Sequence, residues 1–165
     1  MKLLILSDGR MGHVNQSIAF AKYLECPYDL VEVGFKNRFS KALSYLFDKV
    51  GIGVEALFIT DIQKNYDVVV GTGSSTYYAT KVLAKKMHAR SVAMMLHHGY
   101  KYNFDVIFAQ SHDNPPNQEN IIEIPANFSY VEHKGIYHAG KKSIGIVIGG
   151  DNKIFTMNKE KLKAQ

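Results

Sequence analysis

Apolar positions along the chain fall into short continuous runs separated by longer stretches with a helical repeat. Residues 2–7 (Lys-Leu-Leu-Ile-Leu-Ser), 28–33, 66–71, 90–96, 104–109 and 120–124 are the runs. Each is short and apolar throughout, the pattern of strands covered on both faces. Between them, residues 13–25 and 75–87 carry helical patterns; Pro27 stops the first. Residues 35–53 carry another, with Phe39, Leu43, Leu46, Phe47 and Val50 at i, i+4, i+7, i+8 and i+11. Residues 54–60 fit either a helix end or extended chain. Strands alternating with helices predict an α/β fold, a doubly wound, Rossmann-like parallel sheet.

The pattern weakens after Pro125. Residues 126–142 read as a connector. Residues 143–152, Ser-Ile-Gly-Ile-Val-Ile-Gly-Gly-Asp-Asn, repeat the strand-into-glycine-turn theme, and Asn158 would cap a helix that the chain leaves unfinished. The expected organisation is a domain over 1–139 and the start of a second Rossmann-like domain over 140–165.

Composition narrows the class without fixing the chemistry. The 165 residues are 46% hydrophobic and 21% charged, as in globular chains. A net charge of +5 suits an anionic ligand or membrane surface, and no nucleic-acid partner is expected. A single cysteine, Cys26, allows no internal disulfide and fits a reducing cytoplasm. No apolar run reaches the ~18–20 residues of a membrane span. The expected location is cytoplasmic, with peripheral contact at the inner face of the membrane left open.

The chemistry concentrates in glycine-bearing turns. Asp8-Gly9-Arg10-Met11-Gly12-His13-Val14-Asn15-Gln16 follows the first strand, and strand, turn and helix together aim backbone N–H groups at an anion. The same turn also reads as plain scaffold. Gly71-Thr72-Gly73-Ser74-Ser75-Thr76 follows the third strand and reads either as a ligand cradle or as a helix start capped by Ser74 or Ser75. Gly9 and Gly12 lack the third glycine of a dinucleotide fingerprint, whose place Asn15 takes, although Glu32 stands where a ribose-binding acid would. Tyr77 and Lys81 have the spacing of a dehydrogenase pair but come too early in the chain, and Lys81 reads as an exposed helix charge. His13, His97-His98 and His112-Asp113 have no metal spacing, and His97 and His98 should point to opposite sides of an extended segment. No metal or cofactor is expected. The basic and aromatic stretch 35–47 reads first as a core-packing helix with a solvated basic face, and second as a helix lying on an anionic membrane.

Read together and in order, residues 7–17 (Ser-Asp-Gly-Arg-Met-Gly-His-Val-Asn-Gln-Ser), 70–76, 89–92, 104–107, 112–113 and 147–150 resemble the mitochondrial-fission, elongated-mitochondria family and its bacterial relatives. The first motif is the specific one. His97-His98-Gly99-Tyr100-Lys101 does not match the family pattern, and Ser111 stands where an acid is expected before His112-Asp113. The bacterial relatives are regarded as glycosyltransferases of GT-B type and were once labelled nucleoside-diphosphate-sugar epimerases. The resemblance implies the acceptor-side domain of a GT-B fold, with a nucleotide sugar and a glycan or lipid-linked acceptor as partners. It makes His13 or Asp8 the base. Gly9, Gly12, Asn15, Gly73, Ser74, Ser75, Thr76, His112 and Asp113 would contact substrate, and Gly149 and Gly150 the donor diphosphate. The chain would cover about half of such a protein and would not act alone. The competing expectation is a non-catalytic binding module, completed by a partner or by self-association; an epimerase-like NAD site is a third.

Overall fold

A computed structural model of the chain describes residues 1–62, 64–132, 135, 138, 140, 142–144, 156 and 160. The chain divides into compact units Met1–Val131 and Glu132–Gln165. Of the strand, glycine turn and helix expected over 143–152 and from Asn158, only Ser143, Ile144 and Glu160 are among the described residues; Gly149, Gly150 and Asn158 lie outside them.

The first unit follows the predicted alternation. In order come β1 (Leu3–Ser7), α1 (Met11–Tyr23), β2 (Tyr28–Glu32), β3 (Gly34–Phe35), α2 (Arg38–Val50), a 3-10 turn at Glu55–Leu57, β4 (Phe58–Ile59), β5 (Val68–Gly71), α3 (Tyr77–Met87), β6 (Arg90–Ala93), β7 (Val106–Gln110), a 3-10 turn at Ser111–Asp113, and β8 (Ile121–Ile124). Six strands form one sheet in the order β2-β1-β5-β6-β7-β8, every pair parallel. β3 and β4 form a separate antiparallel pair, which resolves the ambiguous stretch 54–60.

The apolar runs become strands because both faces of the sheet are covered. Leu4, Leu6, Val69, Ala93 and Ile107 point into a core shared with Tyr78, Val82 and Leu83 of α3. The alternate residues Leu3, Ile5, Val68, Val70 and Val92 point into a second core with Ala21, Ile18 and Phe20 of α1. α1 therefore covers one face and α3 the other, the doubly wound arrangement. Residues 126–131 are less free than a connector: Phe128 packs edge-on against Phe20 and Phe108, and the Tyr23 hydroxyl donates to the Ser129 carbonyl at 2.8 Å.

Two expectations fail here. α2 does not turn its predicted apolar stripe to the core. Its buried row is Ser40, Ser44 and Asp48, one residue per helical turn, while Phe39, Leu46 and Val50 are exposed. The inward row is held by hydrogen bonds: Ser44 Oγ with the Tyr100 hydroxyl at 2.8 Å, and Asp48 Oδ2 accepting from the Lys101 amide at 2.7 Å. Leu43, Tyr45 and Phe47 supply apolar contact on its flanks. Nor is Lys81 an exposed charge. Its ammonium is nearly buried and donates to Asp48 Oδ1 at 2.7 Å, to the Lys101 carbonyl at 2.7 Å and to Asn103 Oδ1 at 2.6 Å. Desolvation lowers its pKa, against the stabilising effect of Asp48.

This polar cluster occupies an unusual crossover. Parallel strands are normally joined through a helix, yet β6 and β7 are joined by residues 94–105 without one. Asp105 pins the end of that loop, accepting from the Ser91 amide and hydroxyl at 2.8 Å each and from Arg90 at 2.7 Å.

Candidate functional site

The strand order reverses between β1 and β5: the chain winds from β1 to β2 on one side and from β5 to β6 on the other. Such a reversal opens a crevice at the carboxyl ends of the two strands, because the helices that follow leave on opposite faces. The two glycine turns singled out in the sequence are the turns that flank it. Sheet adjacency thus brings together segments about 60 residues apart, as the pairing of Leu6 with Gly71 shows.

Asp8 and His13 meet across the first turn, Asp8 Oδ2 to His13 Nδ1 at 2.9 Å. The Asp8 side chain is 5% exposed and that of His13 20%. Asp8 Oδ1 also accepts from the Arg10 amide at 3.2 Å, and the Ser7 hydroxyl accepts from the Gly9 amide at 3.0 Å, so the turn is tied at both ends. α1 begins at Met11, which puts His13 in the helix's first turn rather than in the loop; Arg10 at its N-cap offers no side-chain bond to the free amides. A carboxylate that accepts from Nδ1–H fixes the tautomer and leaves the Nε2 lone pair as the proton acceptor.

Gly73 forms the opposing wall. Its φ is +93°, and a Cβ there would stand 2.5 Å from His13 Nδ1 and 2.9 Å from Asp8 Oδ2. Glycine at this position is a requirement of the Asp8–His13 pair as well as of the turn. Beneath the crevice the turns are joined by a buried bond between Ser17 Oγ of α1 and Thr72 Oγ1 at 2.7 Å. Gly9 and Gly12 have open space where a Cβ would be, and of these only Gly9, at φ +78°, needs glycine's backbone freedom.

The other predicted residues divide. Ser74 is exposed on the rim, where its hydroxyl accepts from Lys41 Nζ at 3.3 Å, and Ser75 is half-buried beside it. Thr76 is buried, and its hydroxyl donates to the Gly73 carbonyl at 2.9 Å. It is the residue preceding α3, so neither Ser74 nor Ser75 caps the helix. Asn15 faces away and lines a depression on α1 with Lys22, Phe128 and Tyr130. His112 and Asp113 sit on the 3-10 turn after β7, His112 largely exposed. Glu32 does reach the crevice edge: with Ser7, Asp8, Gly9 and Gly34 it lines a depression of about 310 Å³.

Other groups stand at this edge besides the expected site residues. The Tyr77 ring is buried and its hydroxyl donates to the Met95 carbonyl at 3.1 Å. Burial holds its pKa well above the ordinary phenol value; Gly73's backbone offsets part of this, and Asp8 and Asp113 add to it. Gln16 is 5% exposed; its amide nitrogen lies 3.4 Å from the Gly12 carbonyl, while its Oε1 has no partner. Tyr77 and Lys81, a dehydrogenase pair by spacing, are engaged in separate networks. His97 and His98 behave as adjacent residues of an extended segment should, His97 buried and His98 exposed. The His97 ring lies 4.6 Å from that of Tyr77 and its Nε2 is 3.2 Å from the Lys101 carbonyl; burial lowers its pKa.

A second cavity, of about 250 Å³, runs along the other side of α3, lined by Tyr78, Lys81, Lys85, Asn103 and Asp105. None of its lining residues belongs to either glycine turn. No cluster of His, Cys, Asp and Glu among the described residues could hold a metal ion, and no helix among them is long and apolar enough to cross a membrane.

No curated protein and no solved structure matches the chain. Residues 11–165 match the family model described as Mitochondrial fission ELM1. That match begins at the first turn of α1, includes His13 and the turn at Gly73, leaves out Asp8 and Gly9, and runs on to the last residue. On that coverage the chain belongs to the Mitochondrial fission ELM1 family.

Proposed function

We propose that the chain forms the acceptor-side part of a GT-B-type glycosyltransferase. Its substrates would be a nucleotide sugar and an envelope glycan or lipid-linked acceptor, handled in the cytoplasm at the inner face of the membrane. The observation that carries this reading is the Asp8–His13 pair, walled by Gly73, at the point where the strand order reverses. His13 Nε2 takes the proton of the acceptor hydroxyl as that oxygen attacks the anomeric carbon. The bond from that carbon to the donor's phosphate oxygen breaks, and the nucleoside diphosphate leaves with the electron pair. Asp8 orients the ring and stabilises the imidazolium that forms. Ser74, Ser75 and Glu32 lie on the rim and would meet acceptor hydroxyls. The donor diphosphate is assigned to Gly149 and Gly150 of a second domain beginning near residue 140.

Transfer is measured as nucleoside diphosphate release in the presence of acceptor. His13→Ala should lower turnover by about 10²–10⁴-fold, the usual contribution of a general base. Asp8→Asn should lower it as well, by offering Nδ1 the wrong partner. Unchanged turnover in both variants refutes the assignment. The exposed apolar face of α2 favours the alternative of a binding module. That reading expects ligand or partner capture without release of any nucleotide.

A further inference from the structure

The outward face of α2 is used by neither the core nor the crevice. Phe39, Leu46 and Val50 are 70%, 55% and 61% exposed, and Ile52 just beyond the helix is 52% exposed. Phe39, Leu46 and Val50 recur at i, i+7 and i+11, so they form one stripe, and Ile52 follows just past the helix end. The helix cannot roll to bury it, because the opposite row is locked: Asn37 Oδ1 caps the Ser40 amide at 2.8 Å, Ser44 is bonded to Tyr100, and Asp48 is paired with buried Lys81.

Charge on this face has one sign. Residues 33–54 contain Lys36, Arg38, Lys41 and Lys49 and a single acid, Asp48, which is buried. Arg38 and Lys49 are eleven residues apart, three helical turns, and form a row beside the apolar stripe. Lys36 is exposed just before the helix. Apolar side chains flanked by cations on one helix face are the layout of a helix that lies in a bilayer interface. A second copy of the chain is a poorer occupant, because a two-fold contact through this face would set the same cations against each other.

We propose that α2 docks the protein on an anionic lipid surface, with Phe39, Leu46, Val50 and Ile52 entering the headgroup region and Lys36, Arg38 and Lys49 meeting lipid phosphates. The contact between Lys41 Nζ and Ser74 Oγ puts the start of this helix beside the crevice, so docking would hold the Asp8–His13 site close to the lipid plane. The docking does not depend on the transfer reading and is measured separately from it.

The test is flotation of the full chain with phosphatidylcholine vesicles, with and without about a third phosphatidylglycerol. The chain should float with the anionic vesicles and at least about ten-fold less with the neutral ones. Phe39→Ser with Leu46→Ser, and separately Arg38→Glu with Lys49→Glu, should each lower binding by about ten-fold or more. Both pairs are exposed, so the circular dichroism spectrum and melting curve should match the parent chain. Failure of the parent chain to float with anionic vesicles overturns the proposal, as does undiminished flotation of both variants. A dimer in sizing chromatography that Phe39→Ser with Leu46→Ser dissolves, together with no flotation, overturns it in favour of self-association.

Discussion

Gly73→Ala is the sharpest single perturbation of the crevice. Two separate costs are built into the site. The first is backbone strain, since φ at this residue is +93°, a region that costs a residue with a Cβ roughly 1–3 kcal/mol. The second is steric: the new methyl would lie 2.5 Å from His13 Nδ1 and 2.7 Å from Cε1, so the imidazole must move. It can do so only by leaving Asp8, and a lost hydrogen bond to a carboxylate costs about 1.5–3 kcal/mol. The sum is about 2.5–6 kcal/mol. Gly9→Ala is the internal control, with φ +78° but open space around the new methyl, and should show the strain alone. Unfolding in urea, followed by circular dichroism, reads both. With a slope of about 2 kcal/mol per molar, Gly73→Ala should lower the midpoint by about 1.2–3 M and Gly9→Ala, with strain alone, by about 0.5–1.5 M. The cycle with His13→Ala separates the costs, because removing the imidazole makes room for the methyl. The double variant should be more stable than additivity expects by about 1.5–3 kcal/mol. If Gly73→Ala costs no more than Gly9→Ala, or if the cycle is additive, Gly73 is not the wall of the pair.

The remaining predictions concern the polar cluster under α2 and α3. His97 has a folded-state pKa below the unfolded value of about 6.5. The unfolded chain therefore binds more protons over that interval, and the His97 contribution, complete above pH ~6.5, is lost as pH falls towards the folded pKa. His97→Phe should flatten the stability-against-pH curve below about pH 6.5; an unchanged slope there means the ring does not titrate as its burial requires. Lys81→Met should cost about 3–5 kcal/mol by stranding the buried Asp48 carboxylate, and adding Asp48→Asn should recover a large part of it. Equal losses in the single and double variants, measured by chemical unfolding, contradict the pairing.

The strands of this fold are legible in the sequence because a strand covered on both faces needs apolar side chains at every position. β1 meets that demand with Leu3, Leu4, Ile5 and Leu6, all within 1% of full burial. The two glycine turns are legible for a similar local reason. Their meeting is not, because it depends on β1 lying next to β5, and nothing in residues 7–17 or 70–76 states which strands are neighbours. The face of α2 is illegible for the opposite reason. Its apolar periodicity is real, but burial goes to Ser40, Ser44 and Asp48, and the partners of the last two, Tyr100, Lys101 and Lys81, stand 33 to 56 positions further along the chain. Hydrophobic periodicity assumes that the core takes the apolar side. A buried ion pair and a buried hydroxyl pair reversed that choice, and Lys81 was misread through the same missing partner. The resemblance implies substrate contacts for Asn15 and Thr76, yet Asn15 lines a depression with Lys22, Phe128 and Tyr130, and the Thr76 hydroxyl donates to the Gly73 carbonyl.

The strand order has a consequence for when the crevice exists at all. Pairing β1 with β2 closes a segment from Leu3 to Tyr28, whereas pairing β1 with β5 closes one from Leu3 to Val68. On loop-closure entropy alone the longer closure is dearer by about 0.8 kcal/mol, before any side chain packs. The Asp8–His13 turn belongs to the short closure, and Gly73, Thr72 and Ser74 to the long one. A nascent chain that has made only its first 60 or so residues holds the acid and the imidazole with nothing opposite them. The candidate site is in this sense a reporter of complete folding: any ligand that needs both turns recognises only chains whose most distant sheet contact has formed.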